Sequence, residues 1–114
     1  LESARDTSFL REIAKDALSS CTAVVCYNDM IAFYLMQELG RVGYRLPEDM
    51  AVTAFDNTYL SNYGPVSVTT LSHKPHEMGT LAAKTLIRRL KGLPADSQEV
   101  PWKLNLKEST KHFI

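Results

Sequence analysis

The chain has 114 residues, enough for one small domain, and 45% of them are apolar, which suits a packed core and excludes a disordered segment. Lys and Arg (13) balance Asp and Glu (13), so the chain itself carries no electrostatic footprint for nucleic acid or for an anionic membrane. No apolar run reaches the length of a membrane span, and the opening "LESARDTSF" has neither an initiator Met nor an apolar signal core, so the chain is expected to be a fragment of a longer protein.

Residues 8–20 are predicted to form a helix, because Phe9, Leu10, Ile13, Ala14, Ala17 and Leu18 recur at helical spacing while Arg11, Glu12, Lys15 and Asp16 face away. Asp6, Thr7 and Ser8 offer N-caps. The short apolar run Thr22 to Tyr27 reads as a strand covered on both faces. Asp29 is expected to cap a helix over 30–42, with Gly43 as its stop. That helix is apolar or aromatic on nearly every side from Met30 to Met36, whereas a helix lying on one sheet needs a single apolar stripe. The excess predicts a second buried face against another domain or subunit. "RLPED" is a turn, residues 50–55 a second strand, "DNTYLSNYGP" a loop and "VSVTTLS" a third strand.

Pro75 opens a further amphipathic helix with Met78, Leu81, Ala82, Thr85, Leu86 and Leu90 on one side, ended by Gly92 and Pro94. Its Lys84, Arg88, Arg89 and Lys91 read as a solvated face that suits the helix C-terminal end. Val100, Trp102, Leu104 and Leu106 alternate, which predicts a last strand with one buried face. Alternating strands and helices imply an α/β parallel-sheet layered sandwich with right-handed crossovers.

Cys21 and Cys26 are five apart, wider than the usual metal-ligand pairing, and His73, His76 and His112 add no recognisable spacing, so neither a metal nor a cofactor is expected. Cys26 reads as a small buried hydrophobe, and free thiols fit a reducing cytoplasm. Cys26 with His73, or Asp56 with His76, could be imagined as nucleophile and base. Nothing supplies an activating third group, so an enzyme is not expected.

Two apolar strands end alike, the first in Asn28-Asp29 and the second in Asp56-Asn57. In open α/β sheets ligands bind beyond the carboxyl ends of the strands. Asn28 and Asp56 would then rim one cleft, and an amide beside a carboxylate suits a polyhydroxyl ligand. The plainer alternative is that both pairs only cap the strand-to-loop transitions. Asp29 is better explained as a helix cap at the cleft than as a ligand contact.

"TAVVCYNDMIAFYLMQELGRVGYRLPEDMAVTAFDN", "VTTLSHKPHEMGTLAAKTLIRRLKG" and "LKEST", in this order, resemble the sensor domain of the lactose/galactose repressor family of bacterial transcription regulators over residues 8 to 110. The resemblance implies a periplasmic-binding-protein-like type I fold, in which two α/β subdomains hold a sugar or nucleobase between them and a separate upstream module binds operator DNA. It implies that 8–72 and 98–110 belong to the second subdomain and that 73–97 crosses to the first. It carries ligand binding onto Asn28 and Asp56, and onto His73, where many members have a Gln. A His there resembles the arabinose-responsive repressors, which carry a winged-helix module of the GntR type. The resemblance also implies a homodimer, with Phe33, Tyr34 and Gln37 at its interface. Ala54 departs from the usual glycine, and "MIAFYLM" is bulkier than the usual run. The implied function is a sugar-sensing and dimerisation domain of a cytoplasmic repressor. A periplasmic sugar-binding receptor of a transport system is the alternative, and the helix expected at a dimer interface argues against it.

Overall fold

A computed structural model describes residues 6–112. The first five residues and the last two of the stretch expected to form one domain fragment lie outside the described residues. The elements are α1 (Ser8–Lys15), β1 (Ala23–Val25), α2 (Asp29–Arg41), β2 (Ala51–Phe55), β3 (Thr69–Ser72), α3 (Pro75–Leu90) and β4 (Lys103–Asn105), with 3₁₀ turns at Tyr59–Asn62 and Glu108–Thr110.

The four strands form one sheet in the order β1-β2-β3-β4. β1 and β2 pair in parallel, with Val25 opposite Thr53, and β2 and β3 pair in parallel, with Phe55 opposite Leu71. β4 runs antiparallel to β3, with Leu104 opposite Leu71, so the parallel arrangement expected from the element order holds for three strands of the four. The reason is local. β4 does not cross over to a new position but returns beside the strand that α3 left.

The core lies between the sheet and α1 and α2. Leu10, Ala14 and Leu18 meet Ala32, Leu35, Met36 and Leu39 over Cys26, Val52, Ala54 and Val68. The first helix is shorter than its apolar spacing predicts. After Lys15 the chain widens, with the Leu18 amide bonding Ile13 O at 3.0 Å, and Leu18 still reaches the core. α2 ends in a Schellman motif. The Tyr44 amide bonds Leu39 O and the Gly43 amide bonds Gly40 O, with Gly43 at a φ of 101° that favours glycine.

Glu38 is the charged anchor between the two helices. It is 1% exposed and receives hydrogen bonds from Arg11 Nε at 2.8 Å, Thr7 Oγ1 at 3.0 Å and Arg41 Nη1. The Arg11 hydrogen bond holds its carboxyl below the ordinary value of 4.5.

The last segment is sewn on by hydroxyl groups. The Thr69 amide donates to Ser109 Oγ at 2.8 Å, and Ser109 Oγ donates to the Val52 carbonyl. Thr69 and Thr110 share a hydrogen bond at 2.6 Å. Lys107 Nζ reaches Ser61 Oγ at 2.7 Å and Asn62 Oδ1 at 2.9 Å, clasping the loop after β2.

One expectation about burial changes, that for the last strand, whereas the apolar face of α3 is open as expected for a helix that would cross to a missing subdomain. α3 has no buried residue, and Leu86 and Leu90 are exposed on it. The face of β4 that was expected to be buried is open, with Trp102, Leu104 and Leu106 all exposed, because no element among the described residues covers it. The radius of gyration is 18.2 Å, against about 13 Å for a compact domain of this length. The chain is therefore a small packed body with one uncovered helix.

Candidate functional site

β1, β2 and β3 end side by side, and a pocket of about 330 Å³ opens at their carboxyl ends. Its lining residues are Tyr27, Phe55, Asp56 and His73. Each comes from a strand end: Tyr27 lies two residues past β1, Phe55 closes β2, Asp56 follows it, and His73 follows β3. The His73 imidazole stacks on the Phe55 ring, with centroids 6.4 Å apart and planes 14° from parallel. Flat apolar faces therefore stand beside one exposed carboxylate.

Asp56 and His73, two of the three residues expected to bind ligand, share this pocket. Asn28 does not line it. Asn28 lies three residues past β1 and Asp56 directly past β2, the strand paired in parallel with β1. Asn28 is half-buried and already engaged, because its Oδ1 accepts the Ile31 amide at 2.9 Å.

That bond corrects the expectation for Asp29. Asn28, with extended backbone, is the N-cap of α2, and Asp29 is the first helical residue. The Asp29 carboxylate is 1% exposed and turned to other work. Its Oδ1 accepts from the Thr70 hydroxyl at 2.6 Å, and its Oδ2 accepts from the Thr58 hydroxyl at 2.9 Å and from the Thr58 amide. Asp29 cannot cap the helix as well, since the cap is the residue just before it.

The loop that presents Asp56 is unusual in its backbone. Asp56 has a φ of 100° and Asn57 of 53°, both in a region that L residues rarely adopt and that Asp and Asn tolerate best. The Asp56 amide bonds Leu71 O at 2.9 Å, and the Asn57 amide bonds Thr70 Oγ1 at 3.2 Å. Lys74, after His73, also has a positive φ (50°), and its amide bonds Ser72 Oγ at 3.1 Å.

Sequence reasoning missed Tyr27, Phe55, Thr58 and Thr70. Both aromatics occupy strand ends, where they were read as sheet residues. The threonines did give a signal: a hydroxyl inside "VSVTTLS" needs a partner once buried.

Phe33, Tyr34 and Gln37 on α2 are all half-buried. The Phe33 and Tyr34 rings meet edge to face at 5.3 Å. Phe33 also packs beside Gly64, where an added Cβ would meet its ring at 3.4 Å, and Tyr34 packs against the core. Part of the second apolar face of α2 is thus used within the chain, and Met30 stays exposed.

Cys26 is buried, and burial pushes its thiol up to about 11, which leaves it a poor nucleophile. No group of three His, Cys, Asp or Glu residues among the described residues could hold a metal ion, and no described helix is long and apolar enough to cross a membrane.

The family model for the periplasmic binding protein-like domain matches residues 2–110. The chain is 36% identical over 86 residues to the arabinose metabolism transcriptional repressor of Halalkalibacterium halodurans, a match covering 75% of this chain and 23% of that protein. A LacI family transcriptional regulator from Bifidobacterium animalis subsp. lactis superposes with a TM-score of 0.82 at 25% identity, over 92% of this chain and 40% of that one. A LacI family regulator from Enterococcus faecium, solved with bound ribose, superposes with a TM-score of 0.76 at 27% identity, over 88% of this chain and 38% of that one. The chain thus spans about a quarter of the curated relative and about two-fifths of each solved chain. By the family match over nearly its whole length, and by its likeness to these regulators, the chain belongs to the periplasmic binding protein-like domain family, in its LacI type.

Proposed function

We propose that this chain is the later part of a sugar-sensing domain of a bacterial transcriptional repressor, acting in the cytoplasm. The observation that carries the reading is the pocket at the ends of three adjacent parallel strands, lined by Tyr27, Phe55, Asp56 and His73. A pentose or related sugar has hydroxyl groups at its edge and C–H groups on its faces. The Asp56 carboxylate accepts from hydroxyls, and the aromatic faces take the C–H side. Asn28 keeps its amide NH₂ for a ligand oxygen, because its carbonyl oxygen holds the helix. An arabinose repressor among the relatives, and ribose bound to a LacI family neighbour, support a pentose.

The rest of the cleft comes from a first subdomain to which residues 73–97 cross. An α3 without a buried residue supports this, since its apolar face meets only the segment around Asp96 to Val100 among the described residues. Operator DNA is bound through a separate module, and α2, with Phe33, Tyr34 and Gln37, forms part of a homodimer interface. Sugar and operator then share a coupling free energy of about 1–3 kcal/mol, and each weakens the other by the same factor.

A thermal-shift titration of the full-length protein with pentoses, hexoses and purines tests the reading. A ligand that binds only the folded state raises Tm with concentration. One pentose is expected to raise it, and Asp56→Ala and Asn28→Ala are expected to abolish the shift. A shift that survives both substitutions would overturn the site.

A further inference from the structure

Two consecutive residues with positive φ persist only where their surroundings over-determine them. Asp56 and Asn57 are such a pair. On the upstream side the Asp56 amide is fixed to the Leu71 carbonyl at 2.9 Å. On the downstream side the Asn57 and Thr58 amides are both tied to Asp29, while Lys107 Nζ reaches Asn57 Oδ1 at 3.4 Å and the Thr58 carbonyl accepts from Ser61. The Asn57 amide donates to Thr70 Oγ1 at 3.2 Å, the Thr70 hydroxyl donates to Asp29 Oδ1 at 2.6 Å, and Thr58 gives both its amide and its hydroxyl to Asp29 Oδ2.

The direction of this chain matters. An ionised carboxylate can only accept, and a threonine hydroxyl has one proton. With that proton committed to Asp29, the lone pairs of Thr70 face the Asn57 amide. Asp29 is also the residue after Asn28 and the first of α2, so one carboxylate is tied both to the Asn28 strand end and to the Asp56 loop.

We propose that Asp29 is a positioning residue: through Thr70 and Thr58 its buried carboxylate holds the Asp56–Asn57 turn in its left-handed form and fixes Asp56 relative to Asn28. Asp29 itself does not line the pocket. Its importance for binding rests on the sugar-sensing reading; its hold on the turn does not.

The test has a readout that needs no ligand. Amide hydrogen exchange is followed in this chain for Asp29→Asn, Thr70→Val and Thr70→Ser. Asp29→Asn gives one acceptor oxygen where the carboxylate gave two, Thr70→Val removes the link at nearly constant volume, and Thr70→Ser keeps the hydroxyl. Exchange at Asn57 is expected to rise about tenfold or more in the first two, with Thr58 following in Asp29→Asn, and both are expected to stay near wild type in Thr70→Ser, while amides of β2 serve as an unchanged reference. Thr70→Val and Thr70→Ser keep the test decisive should Asp29→Asn fail to fold.

In parallel, calorimetry of the full-length protein measures L-arabinose and D-ribose. Asp29→Asn and Thr70→Val are expected to weaken the bound sugar about tenfold or more, and Thr70→Ser is expected to restore wild-type affinity. Unchanged exchange at Asn57 and Thr58 would overturn the proposal. So would wild-type affinity in Thr70→Val when Asp56→Ala abolishes binding. Failure of the sugar reading looks different: neither sugar binds, or binding ignores Asp56→Ala, and the exchange data still decide the role of Asp29.

Discussion

Glu38 shows how much one side chain can set. Its carboxylate is buried between α1 and α2 and held in its charged form by Arg11, Thr7 and Arg41. A carboxyl whose folded value lies below its ordinary one adds stability above that ordinary value. The stability is lost as pH falls through the folded value. Asp49, held down by Arg45, and Glu108, held down by the Ser67 amide and hydroxyl, act in the same direction. The urea midpoint of this chain is therefore expected to fall steadily as pH drops below about 4.5, the ordinary value for Glu38. Glu38→Gln should start lower at pH 7 and lose less on acidification. Parallel pH profiles for the two proteins would refute the account. The sequence did not announce this residue. Glu38 sits in "MQELGR", which gives no sign of a buried charge, and the approach of α1 makes it one. Asn28 was the opposite case. Its place at a strand end was legible, but whether it or Asp29 capped the helix depended on one backbone angle that spacing does not encode.

Among the elements, those with strong period were read correctly as to type and place. α2 and α3 fall within one or two residues of expectation, because apolar spacing, Pro75, Gly43 and Gly92 all agree. Strands were read too long, since a run such as "VSVTTLS" is apolar and β-branched from its start but opens on a bend at Val66 and pairs only from Thr69 to Ser72. The direction of β4 was not legible, because alternation along a strand is the same in parallel and antiparallel pairing. What anchors the end of the chain to the sheet is the Ser109 hydroxyl, which serves the Thr69 amide and the Val52 carbonyl at once. Ser109→Ala leaves both unpaired and is expected to cost about 1–3 kcal/mol, measured as a lower urea midpoint with an unchanged slope. A midpoint equal to wild type would mean that the hydroxyl network contributes nothing net.

At the scale of the whole molecule, the packed body and α3 follow different rules. Leu39→Ala, in the core, is expected to cost about 2–5 kcal/mol. Leu86→Glu, on the open face of α3, is expected to stay within about 0.5 kcal/mol of wild type in this chain, by urea denaturation. A large loss from Leu86→Glu would show that α3 packs in solution as it does not here. The connection of α3 to the body has a mechanical consequence. It leaves the sheet from β3 and returns to β4, and those two strands are hydrogen-bonded neighbours. A helix of 16 residues is about 24 Å long. Pivoting by about 10° at the strand ends would carry its far end through about 4 Å on that length. His73 stands at the pivot, in the pocket. A change in torsion there too small to disturb the Phe55 stack would be magnified along the helix, as a short arm at the fulcrum moves a long one.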